Sequence, residues 1–314
     1  MPDVLKPVPG GRAWHRSILP IILSLHFALA FIGPAQSADP PPVEQGTGLC
    51  RFILHGYQLL PQTEATINAE VGKSMKLHQE LFGFRPSPAF AIRMRIFGKY
   101  GDYEAHTARL SERFDASLKS RNVQELTGYY FHPVGEIVTW RQKRPDYMAN
   151  NILHEASHAI MMAHYRRMPM WLSEGCATYF SYPSHMQDDH DIGTLRFRWA
   201  KLNLWYRQKK LPALHDFVDL RGAEWARQDM LMAYSVSWSI FQYLMSTPEH
   251  RQLLRDYMNQ LQERRGRRMS AGDLLNQMHP GGLDALEKNW HTWIYTGGKR
   301  VLGEEMEDLI KRVQ

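Results

Sequence analysis

Residues 152–161 read Ile-Leu-His-Glu-Ala-Ser-His-Ala-Ile-Met. Their apolar positions recur with the period of an α-helix, and the pattern predicts a helix over Tyr147–His164. On such a helix His154 and His158 lie about 40° apart around the axis and about 6 Å apart along it, so both imidazoles can reach one metal ion. Glu155 points aside from that pair, where its carboxylate is free to act on a water molecule.

The chain has fifteen histidines in 314 residues, so a His-Glu-x-x-His pattern can arise by chance more often than in an average chain. The residues around the pattern must therefore support it. Ile152, Leu153 and Ile160 predict a buried helix, where unligated histidines and a glutamate would be costly. The alternative is that the three polar side chains are core residues satisfied by hydrogen bonds. That alternative requires a partner for each of them inside the protein.

A catalytic zinc ion needs a third protein ligand, and two residues compete for this role. His164 lies six residues after His158, which on a continuous helix is about 240° around the axis, so we exclude it. Glu174 lies in a second predicted helix, Pro169–Phe180. Pro169 suits the first turn of a helix, and the two helices can fold back antiparallel so that Glu174 meets the histidines. Two histidines and one carboxylate leave one position for water, as in catalytic zinc sites.

A resemblance to the gluzincin metallopeptidases rests on two segments, His154-Glu155-x-x-His158 and Trp171-Leu172-x-Glu174-Gly175-x-Ala177. This superfamily includes thermolysin and aminopeptidase N. The chain is most similar to the bacterial peptidase-MA-like proteins, which carry a domain-of-unknown-function label. A third segment, Ala233–Trp238, is similar to a tyrosine-serine-tryptophan helix of those proteins, and the resemblance extends over Gly128 to Tyr295.

The resemblance implies that His154, His158 and Glu174 bind one zinc ion (Zn²⁺). Glu155 would be the general base, taking a proton from water and passing it to the leaving amine. Tyr234 matches the position of the transition-state tyrosine of aminopeptidase-like gluzincins, which implies an oxyanion donor. For Tyr234 the alternative is a buried tyrosine bonded to backbone.

Peptides or proteins are the substrates that the resemblance implies, aligned along an exposed strand that we place at Gly135–Trp140. The Gly-x-Met-Glu-Asn segment with which aminopeptidase N holds a free amine is absent, so endopeptidase cleavage is favoured over aminopeptidase cleavage. Thr178 lies four residues after Glu174, where thermolysin has an aspartate that orients a histidine ligand. Another residue must serve here, and the sequence does not name it.

In a second interpretation, the protein binds zinc but does not hydrolyse peptide bonds. The protein would then be a zinc-binding scaffold or binding protein of the cell envelope. Glu155 argues against this interpretation, because a structural site needs ligands and no base.

The first 37 residues predict a secretory signal peptide, with basic residues before an apolar run at 18–32 and cleavage after Ser37. The run is shorter than the roughly 20 residues of a membrane-spanning helix, although an uncleaved anchor remains the alternative. A bacterial protein exported in this way would be periplasmic or extracellular. Cys50 and Cys176 could pair there, but Cys176 also fits a buried helix position as a free thiol.

After the signal peptide, residues 38–49 predict a linker, residues 50–146 a small mixed α/β layer, and residues 147–314 a mostly helical part with the zinc site. The predicted fold class is α+β. In the first part the periodicity predicts a helix over Glu64–Phe82, a strand over Phe90–Phe97, and a hairpin that joins Gly128–Phe131 to Glu136–Trp140.

Composition excludes several classes of protein. A hydrophobic fraction of 44% and a charged fraction of 22% are typical of a globular chain rather than a disordered one. Two cysteines cannot form a disulfide framework. The formal charge of +6 is modest and does not indicate a nucleic-acid partner. Membrane contact is expected only through an uncleaved N-terminus or the basic loop Arg264–Arg268.

Overall fold

A computed structural model of the protein describes residues 41–46, 48–114, 127–143, 145–165, 168–181, 193–263 and 270–302. The predicted signal peptide, its alternative as an anchor at 18–32, and the loop Arg264–Arg268 lie outside these residues. No helix in the described ranges combines the length and the apolar character needed to cross a membrane. The predicted parts 50–146 and 147–314 fall within one compact unit, residues 40–314.

Five strands of the described chain form a mixed sheet in its N-terminal part. They are β1 (Val43–Gln45), β2 (Cys50–His55), β3 (Ile92–Phe97), β4 (Gly128–Phe131) and β5 (Glu136–Trp140), in the spatial order β1-β2-β3-β5-β4. The three central strands are parallel, and β1 and β4 pair antiparallel at the edges. Helices α1 (Pro61–Phe82) and α2 (Tyr100–Arg113) lie in the crossovers that parallel neighbours require.

The remaining regular elements of the described chain are helices. They are α3 (Pro145–His164), α4 (Met170–Phe180), α5 (Gly193–Arg207), α6 (Leu214–Phe217), α7 (Gly222–Ala226), α8 (Met230–Leu244), α9 (Pro248–Glu263), α10 (Ala271–Met278) and α11 (Gly282–Leu302). The α+β prediction is confirmed at this level, with the sheet first and helices toward the C-terminus. The short helices α6 and α7 were not predicted, because about one turn carries too little periodicity to be recognised.

The sheet supports the helix that carries the histidine motif. Ile92, Met94 and Ile96 alternate along β3 and are buried, and they pack with Ile152 and Ala156 of α3 in one apolar cluster. Because successive side chains of a strand point to opposite faces, the arginines between them face the other way. The motif helix α3 therefore packs on the sheet through its apolar residues, which leaves its polar residues to face elsewhere.

The linker predicted at 38–49 contains a strand. Strand β1 pairs antiparallel with β2, with Val43 opposite Leu54. The sequence does not predict it because three residues show no usable alternation, and the Val43 side chain is 60% exposed. Backbone pairing with β2 fixes this segment, and such pairing depends on tertiary position rather than on local pattern.

The strand predicted to align the substrate, Gly135–Trp140, is not at an edge. Strand β5 lies between β3 and β4, and it pairs with both of them. The strand of the hairpin that lies at the edge of the described sheet is its first strand, β4. The prediction of the hairpin was correct, but the assignment of its edge was wrong because β5 joins β3 as a parallel neighbour.

Helix α4 packs very closely against α8. A Cβ atom added at Gly175 would lie 2.5 Å from the carbonyl oxygen of Ser237 and 3.1 Å from the Phe241 Cβ. A side chain at this position would therefore push the two helices apart. The glycine of the second sequence segment is explained by this close approach rather than by a turn.

Both cysteines are free thiols. Cys50 lies in β2 and Cys176 in α4, and each is buried. Burial raises the pKa of both thiols to about 12. The alternative of a disulfide between them is not realised, and each cysteine packs as a small apolar residue.

A buried histidine connects α1 with α3. The His78 side chain is 1% exposed, and its Nδ1 lies 2.7 Å from the carbonyl oxygen of Ser74. Its Nε2 lies 3.2 Å from the Ser157 hydroxyl. The carbonyl can only accept, so Nδ1 carries the hydrogen and the neutral ring accepts at Nε2. Burial lowers the pKa of His78 to about 4.

Acid should destabilise the fold through His78. The unfolded chain binds a proton on this ring below about pH 6.5 and the folded chain only below about pH 4, so stability falls as pH drops between these values. Urea unfolding with a metal chelator at several pH values should show a steeper decline for wild type than for His78→Leu. The difference should be about 1.4 kcal/mol per pH unit near pH 5. Parallel declines would contradict this assignment.

Candidate metal centre

Helix α3 presents two imidazoles to one point. His154 and His158 are one turn apart, their side chains are largely buried, and their ring centroids lie 4.9 Å apart. Excluding His164 as a ligand agrees with its position, because its ring packs against Phe84 with centroids 5.6 Å apart. The helical spacing that predicts a pair of ligands thus brings two of these three histidines together.

Helix α4 adds a carboxylate to this pair. Glu174 Oε2 lies 3.4 Å from His154 Nε2 and 3.6 Å from His158 Nε2. One ligand atom from each of the three residues lies within 4.8 Å of the others. Burial acts to raise the pKa of Glu174, but the two histidines outweigh it and hold that pKa well below its usual range.

These residues fit a bound divalent cation. The Glu174 side chain is buried, and its Oε2 accepts no hydrogen bond within the described chain. A carboxylate oxygen in that position is costly unless a cation or donor reaches it. Two imidazole nitrogens and one carboxylate oxygen are a donor set that zinc accepts in catalytic sites. His154, His158 and Glu174 would hold the ion.

The predicted base lies beside these three residues and is held by the edge strand. Glu155 is 7% exposed, and its Oε2 accepts a hydrogen bond of 2.6 Å from the Tyr130 N–H of β4. Burial raises the pKa of Glu155, and the Glu174 carboxylate acts in the same direction while the two histidines oppose it. One carboxylate oxygen is thus fixed by backbone, and sequence reasoning missed the strand residue that fixes it.

A cleft of about 180 Å³ opens onto the cluster. Tyr234 of α8 lines it, with its ring centroid 6.1 Å from that of His154. Met162 and Met170 line it on the side of the loop that joins α3 to α4. Each methionine lies four residues from a predicted ligand, so each extends a ligand face by one helical turn.

Two serines contact the histidines at Nδ1, the ring nitrogen that faces away from Glu174. Ser173 Oγ lies 3.1 Å from His158 Nδ1, and Ser181 Oγ lies 3.3 Å from His154 Nδ1. Sequence reasoning left the orienting residues unnamed because it looked at Thr178, whose buried hydroxyl has no hydrogen-bond partner in the described chain. The sequence did contain a clue to these two serines. Ser173 adjoins Glu174, and Ser181 follows Glu174 by nearly two helical turns, so Ser181 lies on about the same side of the helix as the predicted ligand.

No protein-family model matches the chain, and no curated protein matches it either. The gluzincin resemblance therefore rests on the motif residues, and the zinc ion and its chemistry stay predictions.

Zinc binding should depend on the three clustered residues. We expect wild type to retain one Zn²⁺ per chain after dialysis and to unfold at a higher temperature with zinc, since a ligand at 100 times its Kd adds about 2.7 kcal/mol of stability. His158→Ala and Glu174→Gln should lose the stoichiometric ion. Elemental analysis and thermal unfolding measure both effects.

His164→Ala provides the matched control, because His164 is on the same helix but outside the cluster. This variant should bind zinc as wild type does. Equal zinc retention by His158→Ala and His164→Ala would show that the cluster is not the binding site.

Proposed function

We propose that the protein is a zinc-dependent peptidase of the gluzincin type that cleaves within peptide chains. The position of Glu155 carries this proposal. A buried carboxylate with no part in the ligand set lies directly beside three converging ligands, on the side where the edge strand passes. A purely structural metal site needs no such group.

Zinc, when bound, would activate a water molecule and polarise the scissile carbonyl group. Glu155 would accept the proton of that water and pass it to the leaving amine. Its Oε2 is engaged by the Tyr130 N–H, so Oε1 is the oxygen available for proton transfer.

Strand β4 offers a backbone to a substrate. Its Tyr130 N–H is directed to Glu155 and away from β5. In an antiparallel ladder both backbone groups of a residue point to the same side, so the Tyr130 carbonyl also faces away from β5. The Tyr130 N–H is already engaged by Glu155, so an extended peptide would pair with this edge through the Tyr130 carbonyl and present one of its bonds to the cluster. In this proposal β4, rather than β5, would align the substrate.

Cleavage within a chain is favoured over removal of N-terminal residues. Among the described residues that line the cleft, the acidic ones are Glu155 and Glu174. Both have other roles in the mechanism, so no lining carboxylate is left to bind the free amine of a substrate. The predicted signal peptide supports a location outside the cytoplasm, where unfolded proteins and peptides would be the substrates.

Glu155→Gln should abolish hydrolysis while zinc stays bound. Loss of a general base typically costs 10²–10⁴ in rate, so we expect kcat to fall by at least about 100-fold. Cleavage of a mixture of denatured proteins, followed by mass spectrometry, measures activity, and elemental analysis measures zinc. Equal activity would refute the peptidase proposal. Bound zinc without cleavage by wild type would favour the scaffold.

Tyr234→Phe should lower kcat and leave zinc binding intact. Removing one oxyanion donor costs about 10²–10³ in kcat, and the ring that remains still fills the cleft wall. Tyr243→Phe is the control, since Tyr243 is on the same helix and packs against His250 and Trp293. If both variants kept the wild-type kcat, Tyr234 would be a structural residue.

A further inference from the structure

Both predicted histidine ligands are hydrogen-bonded through the ring nitrogen that faces away from Glu174. His154 Nδ1 meets Ser181 Oγ at 3.3 Å, and His158 Nδ1 meets Ser173 Oγ at 3.1 Å. The other nitrogen of each ring, Nε2, faces the Glu174 carboxylate. Each imidazole thus has a neutral hydroxyl group hydrogen-bonded to its Nδ1 atom.

The direction of the hydrogen bond at His154 follows from the other contacts of Ser181. The Ser181 hydroxyl lies 2.8 and 2.9 Å from the backbone carbonyls of Ala177 and Thr178, which share its single hydrogen. Its hydrogen is therefore used, and its oxygen can only accept from His154 Nδ1–H. A hydrogen on Nδ1 leaves the lone pair on Nε2, which is the form that binds a metal ion.

Helix α4 and the residue after it supply the carboxylate and both hydroxyl groups. Ser173 immediately precedes Glu174, and Ser181 follows it by seven residues. Seven residues are nearly two turns, so Ser181 lies within about 20° of Glu174 around the axis. One rigid element therefore sets the third ligand and the orientation of the other two.

We infer that Ser173 and Ser181 are positioning residues, which hold the two imidazoles so that both Nε2 atoms face a shared metal ion, and that Ser181 also selects the Nδ1–H tautomer of His154. This inference rests on the proposed zinc site. It assigns to two uncharged hydroxyl groups the task that a carboxylate performs in many zinc sites, and Thr178, at the expected position, takes no part. The simpler role for Ser181 is local, because serines near a helix C-terminus often bond to the preceding carbonyls.

Zinc affinity separates the positioning role from a local one. We expect Ser173→Ala and Ser181→Ala each to weaken zinc binding by about 10–100-fold, the usual cost of losing such a partner. Competition with a fluorescent chelator measures the affinity. The visible spectrum of the Co²⁺-loaded protein should change in shape for both variants, because the imidazoles lose their fixed orientation. Neither readout requires a substrate.

Two further variants serve as controls. Thr178→Val removes a buried hydroxyl from the same helix that has no hydrogen-bond partner in the described chain, so zinc affinity should stay at the wild-type value. Ser181→Thr keeps the hydroxyl and should restore most of the affinity that Ser181→Ala loses. Thermal unfolding in chelator identifies any variant that has simply lost its fold.

The outcomes separate this inference from the peptidase proposal. If wild type binds zinc and both alanine variants bind it equally well, the serines are not positioning residues, whatever the activity. If the alanine variants lose affinity while wild type cleaves no substrate, the serines position the ligands of a site that is not a peptidase. Wild type that binds no zinc would overturn both.

Discussion

Helix α4 is buried on almost every side, and the polar side chains that it carries must find their partners inside the protein. Its apolar residues pack into the helical core, and Gly175 lets it lie directly on α8. The helix has little freedom to rotate or slide within this packing. Glu174 is therefore held against two histidines of α3, whose positions depend in turn on the sheet beneath. The proposed metal centre depends on this single immobilised helix.

The proposed base and the predicted ligands come from different structural elements. The histidines and Glu174 come from two packed helices, while the Glu155 carboxylate is held by a backbone N–H of β4. Glu155 thus lies where the helical layer meets the edge of the sheet. If a peptide pairs with that edge, its backbone and the proposed base are positioned by the same strand. The same short stretch of backbone would then align the substrate and orient the base, so the two would not depend on separate structural elements.

The sequence predicts whatever follows from spacing along one element. The pair His154 and His158, the place of Glu174 after Pro169, and the hairpin of β4 and β5 all depend on local periodicity and turn chemistry, and the structure has them where expected. Which strand of the hairpin lies at the edge of the sheet depends on which of the two strands pairs with β3, and the local pattern does not encode this. The serines were missed for a similar reason. A serine in or next to a helix can bond to nearby backbone or to a distant side chain, and only packing decides which hydroxyl faces a histidine.

Met162 and Met170 form part of the cleft wall. Thioether side chains are unbranched and polarizable, and they adapt to neighbours of many shapes at small cost. If the protein is the proposed peptidase, such a wall would select weakly among substrate side chains, whereas the strand edge would require an extended substrate backbone. Susceptibility to cleavage would then depend on whether a segment can be drawn out into an extended strand. Compact folded domains would resist, and tails, long loops and damaged proteins would be cut with little regard to their sequence.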